Sequence, residues 1–141
     1  MAIKKQEFYE GAALHLLIRS GGVKTIGYEN PIFLVNDKLA VYLKYSTRTR
    51  GPWGFTFTAD EQRMLAQRSG EQRFAIGLVC GSDGIAAVER EVYLKIAPPR
   101  DSPLHIACYR RHGEHYEVNG PDGTVPGKIS PSLWQRLLDG E

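Results

Sequence analysis

The sequence predicts an α/β protein, a mixed central sheet with flanking helices followed by a C-terminal β-hairpin extension and a terminal helix. Three observations carry this expectation. Apolar residues near the N-terminus recur at helical spacing, the runs Ile32 to Val35 and Leu39 to Tyr45 are apolar on both faces, and a capping signature at Thr58 leads through a helix into the apolar run Arg73 to Cys80. Strands without polar alternation belong to sheets covered on both sides, which is the layered α/β arrangement.

The first helix is expected over Lys4 to Arg19, with Tyr9, Ala13, Leu16 and Leu17 on its apolar face and Gly21 and Gly22 as its stop. Glu10 falls on the edge of that face, between Leu14 and Leu17, while His15 and Arg19 fall on the wet side. A carboxylate so placed reaches solvent or bonds a neighbour.

Val23 to Tyr28 reads as a short strand, and Ile32 to Val35 with Leu39 to Tyr45 as a hairpin turning at Asn36 and Asp37, residues that tolerate positive φ. A two-residue turn there sets Leu34 opposite Leu39, Ile32 opposite Val41 and Glu29 opposite Lys44. The hairpin strand ends in Lys44 and runs into a cationic, hydroxyl-rich turn closed by Pro52 and Trp53.

Thr58, Ala59, Asp60 and Glu61 spell a capping box for a second helix reaching about Arg68. Arg73 to Cys80 then reads as a central strand, parallel to a neighbour and ending at a Gly81 to Gly84 turn. Ala86 to Ala97 fits either period; the alternation of Val92, Leu94 and Ile96 tips it to a strand. After Pro98 and Pro99, Leu104 to Arg110 and Tyr116 to Asn119 form a hairpin turning near His112 and Gly113. A further turn follows at Pro121 to Gly123, and Ser130 and Pro131 open a last helix with Leu133, Trp134, Leu137 and Leu138. The expected organisation is one domain over residues 1–141, an α/β core at 4–97 and a β-rich extension at 98–141.

A chain of 141 residues, 42% hydrophobic and 24% charged, has ordinary globular proportions and buries a core without staples. No apolar run approaches the ~20 residues that span a bilayer, so no membrane partner is expected. No signal-peptide pattern follows Lys4 and Lys5, and a cytoplasmic location is the default expectation. Cys80 and Cys108, without CxxC spacing, read as two buried thiols. A formal charge of +2 is too small to argue for nucleic acid alone; only the clustering at Lys44 to Arg50 and at Arg110 and Arg111 does so.

The candidate binding set is therefore Lys44, Ser46, Thr47, Arg48, Arg50 and Trp53, in which fixed cations interleaved with short hydroxyl donors suit an oxyanion such as phosphate. Trp53 equally reads as a turn aromatic closing the core. Ser82, Asp83 and Gly84 form a second polar loop at the carboxyl end of a strand, where ligands sit in open α/β sheets, or else a plain turn. His112, Glu114 and His115 read as a hairpin turn, and His105 as the outer face of a strand.

The order helix, three strands, helix, strand over about residues 4–80 resembles the core of the PD-(D/E)XK nuclease-like fold. The resemblance implies Mg²⁺ or Mn²⁺ held by Glu10 and Glu29, with Lys44 as the catalytic lysine of metal-assisted phosphodiester hydrolysis. The triplet departs from the pattern: Tyr42, Leu43 and Lys44 put a tyrosine where the metal-binding acid belongs. Without a metal, Glu29 and Lys44 read as a cross-strand ion pair. The runs KYST, PWGFTF and LVCGSDG are also similar to a signature of small bacterial proteins, which implies no mechanism. Two functions stand as expectations, a nucleic-acid-binding or nuclease-like protein, and a non-catalytic interaction protein or oligomeric subunit that docks a protein partner through Trp53.

Overall fold

The structure is a computed structural model and describes residues 2–68 and 72–139. Its elements in chain order are α1 (Lys5–Arg19), β1 (Ile26–Glu29), β2 (Ile32–Val35), β3 (Leu39–Ser46), β4 (Trp53–Phe57), α2 (Ala59–Gln67), β5 (Arg73–Cys80), β6 (Gly84–Glu89), α3 (Arg90–Ile96), β7 (Leu104–Tyr109), β8 (Glu117–Gly120) and β9 (Gly123–Thr124), then a 3-10 turn at Trp134–Arg136. The fold is α/β. A five-stranded mixed sheet has the order β1-β2-β3-β5-β6, and an antiparallel sheet has the order β4-β7-β8-β9.

The double-sided apolar character of β3 and β5 follows from what covers each face. On one face Ala13 and Leu17 of α1, with Trp134, pack on Val41, Leu43, Ala75 and Val79. On the other, Tyr42, Ile76, Leu78 and Val88 meet Phe55, Phe57, Ile106 and Val118 of the second sheet. Burying each of the larger groups stabilises the fold by ~1.5–3 kcal/mol. Gly77 makes room between the layers: a Cβ there would lie 2.7 Å from Leu43 Cδ2 and 3.0 Å from Trp134 Cζ3. The Trp134 indole N–H, buried, donates to the carbonyl of Ala13 at 2.9 Å, tying the C-terminal segment to α1.

Several expectations hold, and the neighbour expected to lie parallel to Arg73 to Cys80 is β3. β3 and β5 are parallel over their whole length, Leu39 opposite Arg73 through Ser46 opposite Cys80. The Thr58 hydroxyl accepts from the amide of Glu61 at 3.1 Å and the Glu61 carboxylate from the amide of Thr58 at 3.0 Å, so the capping box is formed. Cys80 and Cys108 are buried free thiols.

Others are corrected. The β2–β3 hairpin pairs Val35 with Leu39 and Leu34 with Ala40, one residue out of the expected register. Asn36 and Asp37 do take positive φ, 54° and 55°, but Lys38 joins them as a third loop residue, its amide donating to the carbonyl of Val35. The Asn36 side chain also binds the chain before β1, accepting from the amides of Lys24 and Thr25 and donating to the carbonyl of Gly22. Residues 23–25 are thereby diverted from the sheet, and the first strand is only β1.

Glu29 therefore ends β1, opposite Ile32, with β2 between it and β3; it does not face Lys44. The run Trp53 to Phe57, expected only as the far end of a turn, is β4 and pairs with β7, from Trp53 opposite Cys108 to Phe57 opposite Leu104. The segment expected as a strand at Ala86 to Ala97 is β6 followed by α3. Its buried residues Tyr93, Ile96 and Ala97 stand three and four apart, a spacing that a strand would scatter over both faces. The last helix is only a run of i to i+3 turns around Trp134–Arg136.

Candidate functional site

Two polar centres emerge, one between the sheets and one at their end. Residues 42, 44 and 46 share one face of β3, the face turned to the second sheet. Position N3 of α2 brings Glu61 over it. The Tyr42 hydroxyl donates to Glu61 Oε2, and Lys44 Nζ donates to the same oxygen at 2.8 Å. Lys44 also lies 5.0 Å from the centre of the Phe57 ring, as a cation over an aromatic face. Lys44 and Glu61 side chains are 20% and 19% exposed, so the pair is largely withdrawn from solvent.

The electrostatics match this geometry. Burial pushes the Glu61 carboxyl up, but hydrogen bonds from Lys44, the Thr58 amide and Tyr42 outweigh it and hold the group below the ordinary carboxylate range. Burial first, then the hydrogen bond to Glu61 and the charges of Glu61 and Glu10, drive the Tyr42 hydroxyl far above its ordinary value. Glu61 is ionised and Tyr42 is a neutral donor. The centre is a hydrogen-bonded cluster in which both oxygens of Glu61 are engaged.

The second centre is a cleft of about 630 Å³ beyond the carboxyl ends of the parallel pair β3 and β5, lined by Arg50, Tyr109, Arg110, Arg111 and His112, with Asp83 as the acid among its lining residues. Its walls come from three distant segments: the turn after β3, the β5–β6 turn and the end of β7. Trp53, 3% exposed, forms the floor, and its indole N–H donates to the carbonyl of Arg48 at 3.0 Å. Gly81, at φ 55°, passes so close beneath that any Cβ would sit 2.2 Å from the same Arg48 oxygen. Only glycine fits there.

Within the cleft the charges divide into structural and unpaired. Arg110 Nε donates to Asp83 Oδ2 at 2.7 Å and its Nη1 to the carbonyl of Glu114, with its guanidinium 5.0 Å above the Tyr116 ring. The Tyr116 hydroxyl donates to the same Asp83 oxygen at 2.6 Å. Burial raises the Asp83 carboxyl, and the bonds from Arg110 and Tyr116 more than offset this, leaving it below the ordinary range. Burial and the bond to Asp83 drive the Tyr116 hydroxyl up. This lock fastens the β5–β6 turn to the β7–β8 hairpin. By contrast, among the described residues no carboxylate lies within ion-pair distance of Arg50 or Arg111. Unpaired arginine forks in a concave site suit a phosphate or carboxylate ligand.

The residues expected to form one binding edge are thus dispersed. Arg50 and Trp53 line the cleft. Ser46 is 9% exposed, and its hydroxyl accepts from the Arg48 amide. Arg48 Nη1 is turned back on the carbonyl of Pro52 at 2.8 Å, bracing the turn, and Thr47 is exposed. Lys44 belongs to the Glu61 cluster. Arg110, Arg111 and the 82–84 loop, noted in the sequence apart from the cationic turn, are brought to it. Tyr109 and Glu61 were missed as site residues. The capping box already placed Glu61 on α2, but nothing local revealed that α2 would cross the face of β3.

For a metal the fit is poor. Glu10 accepts from Gln6 Nε2 at 3.0 Å and Glu29 from Arg68 at 3.4 Å. Among the described residues no three His, Cys, Asp or Glu side chains converge as metal ligands, and this covers His105, His112 and His115. Glu10 and Glu29 are thus each engaged by a neighbouring side chain, and no step is derived through a metal. Among the described residues no helix is long and apolar enough to cross a membrane. Comparison of the chain with protein-family models, curated proteins and solved structures returned no match.

Proposed function

We propose that this protein binds nucleic acid through the arginine cleft, with Arg50 and Arg111 contacting phosphate. The observation that carries the reading is the convergence, beyond the ends of β3 and β5, of two cationic segments sixty residues apart in the chain, each contributing an arginine without an acidic partner among the described residues. In open α/β sheets that end is where ligands bind. Asp83 does not neutralise these two cations, because it is taken up by Arg110 and Tyr116.

The reading is one of binding, not of phosphodiester hydrolysis, since Lys44 is held by Glu61 away from Glu29. A protein-interaction role is favoured by a different surface: Phe8 and Ile18 of α1 are 63% and 51% exposed. The two separate on salt. Fluorescence anisotropy of labelled oligonucleotides should show affinity falling linearly on a log–log plot with salt, by ~0.9 per phosphate contacted on duplex and ~0.7 on single strand. The double variant Arg50→Ala/Arg111→Ala should weaken binding at least about tenfold at low salt and flatten that slope by about 2. Absence of binding at low salt, or binding indifferent to the double substitution, rejects the proposal.

A further inference from the structure

Resting on that reading, we infer that the cleft takes an unpaired nucleotide strand, with a base stacked on Tyr109. Tyr109 is one of only five large hydrophobic side chains left exposed among the described residues, at 40%, and the one that lies in the cleft. The end of β7 sets it there by alternation. Tyr109 and Arg111 point outward, while Arg110 between them turns in to Asp83. A stacking surface and a phosphate-binding fork are thus two residues apart, at and just beyond the end of β7, lining the same cleft as Arg50.

The ring is also supported. A Cβ on Gly51 would lie 3.2 Å from Tyr109 Cδ2 and 3.1 Å from Trp53, so Gly51 sits close to both rings and the tyrosine is braced against the backbone of the cationic turn. An exposed, braced aromatic flanked by unpaired cations is the arrangement that holds single strands, because every base has a π-face while the phosphates supply charge. A duplex keeps its base faces stacked on one another and can offer the cleft only phosphates. The volume, about 630 Å³, lies within the ~300–1,000 Å³ of small-ligand sites, room for one or two nucleotides.

The same base and phosphate could come from a free nucleotide, and the test separates the sources. Anisotropy would compare labelled oligothymidylate, the same strand annealed to its complement, and competition by thymidine monophosphate, for the wild type, Tyr109→Ala and Tyr109→Phe. The single strand should bind at least about tenfold tighter than the duplex. Tyr109→Ala should lose roughly 5- to 100-fold on the strand and distinctly less on the duplex, and Tyr109→Phe should retain strand affinity. Equal strand and duplex affinities, or a Tyr109→Ala protein that binds the strand normally, overturn the inference; if the Arg50/Arg111 dependence survives, the nucleic-acid proposal stands without it. Competition by the monophosphate at a concentration matching the strand's own affinity overturns the strand and assigns the site to a free nucleotide.

Discussion

Glu61 stands at N3 of α2, where Oε1 accepts from the amide of Thr58 while Oε2 accepts from Tyr42 and Lys44. Removing the carboxylate would leave a largely buried hydroxyl and ammonium without their acceptor. Glu61→Ala should therefore cost about 2–3 kcal/mol, read as a shifted denaturation midpoint, and Glu61→Gln, which keeps an acceptor for the cap, should cost less. The same residue contributes to acid lability. Its folded-state pKa lies below the unfolded value near 4.5, so the unfolded chain binds the proton more readily. The stabilisation is complete above that value and is lost as pH falls through the folded pKa. Denaturant titrations of wild type and Glu61→Gln at decreasing pH should show the gap between them closing below about pH 4.5. The sequence made Glu61 legible as a helix cap and Lys44 as a strand lysine. It did not make them legible as partners, because the seventeen positions that separate them in the chain span β4, whose place in another sheet no local pattern announces.

At the scale of elements, the cationic turn is held by backbone contact as much as by side chains. Its Arg48 carbonyl receives the Trp53 indole N–H and lies against Gly81 of the β5–β6 turn. Gly81→Ala should thus act on both loops at once, through an unfavourable positive φ and a direct clash, and cost more than about 2 kcal/mol. Its signature would be a change in Trp53 emission with the far-ultraviolet circular dichroism of the remaining elements retained. Two other elements show why local reading falls short. Val92, Leu94 and Ile96 alternate convincingly, yet α3 forms because its buried face needs Tyr93, Ile96 and Ala97 together against the sheets. The hairpin at Asn36 and Asp37 was recognised, but its register depended on Lys38 entering the loop, and a slip of one residue exchanges the faces of a strand.

At the scale of the whole molecule, the chain does not divide at Pro98 in its hydrogen bonding. β4, from the first part, is an edge of the second sheet and pairs with β7, and the core between the sheets draws Tyr42, Phe55 and Ile76 from one side of Pro98 and Ile106 and Val118 from the other. Trp134 crosses back further, to the carbonyl of Ala13. A chain ending at Ala97 should therefore lack cooperative unfolding, because β4 loses its pairing partner and the inner face of the mixed sheet loses its cover. Circular dichroism against denaturant would show a broad, non-sigmoidal change; a sharp transition would establish residues 1–97 as an independent folding unit.

What the sequence determined by itself is the part governed by short-range chemistry. The period of α1, the capping box of α2, the two-sided apolarity of β3 and β5, and the β7–β8 hairpin all follow from neighbours within a few residues. The candidate cations were visible in the same way, as two clusters sixty residues apart. Only the tertiary structure decided that β4 would leave the first sheet for the second. That crossing brings Arg50 to Arg111 and Tyr109 and withdraws Lys44 to Glu61, while the β1–β2 hairpin sets Glu29 opposite Ile32, with β2 between it and the strand of Lys44. Strand pairing in space depends on which faces can be buried together, a property of the whole packed core that no window of sequence contains.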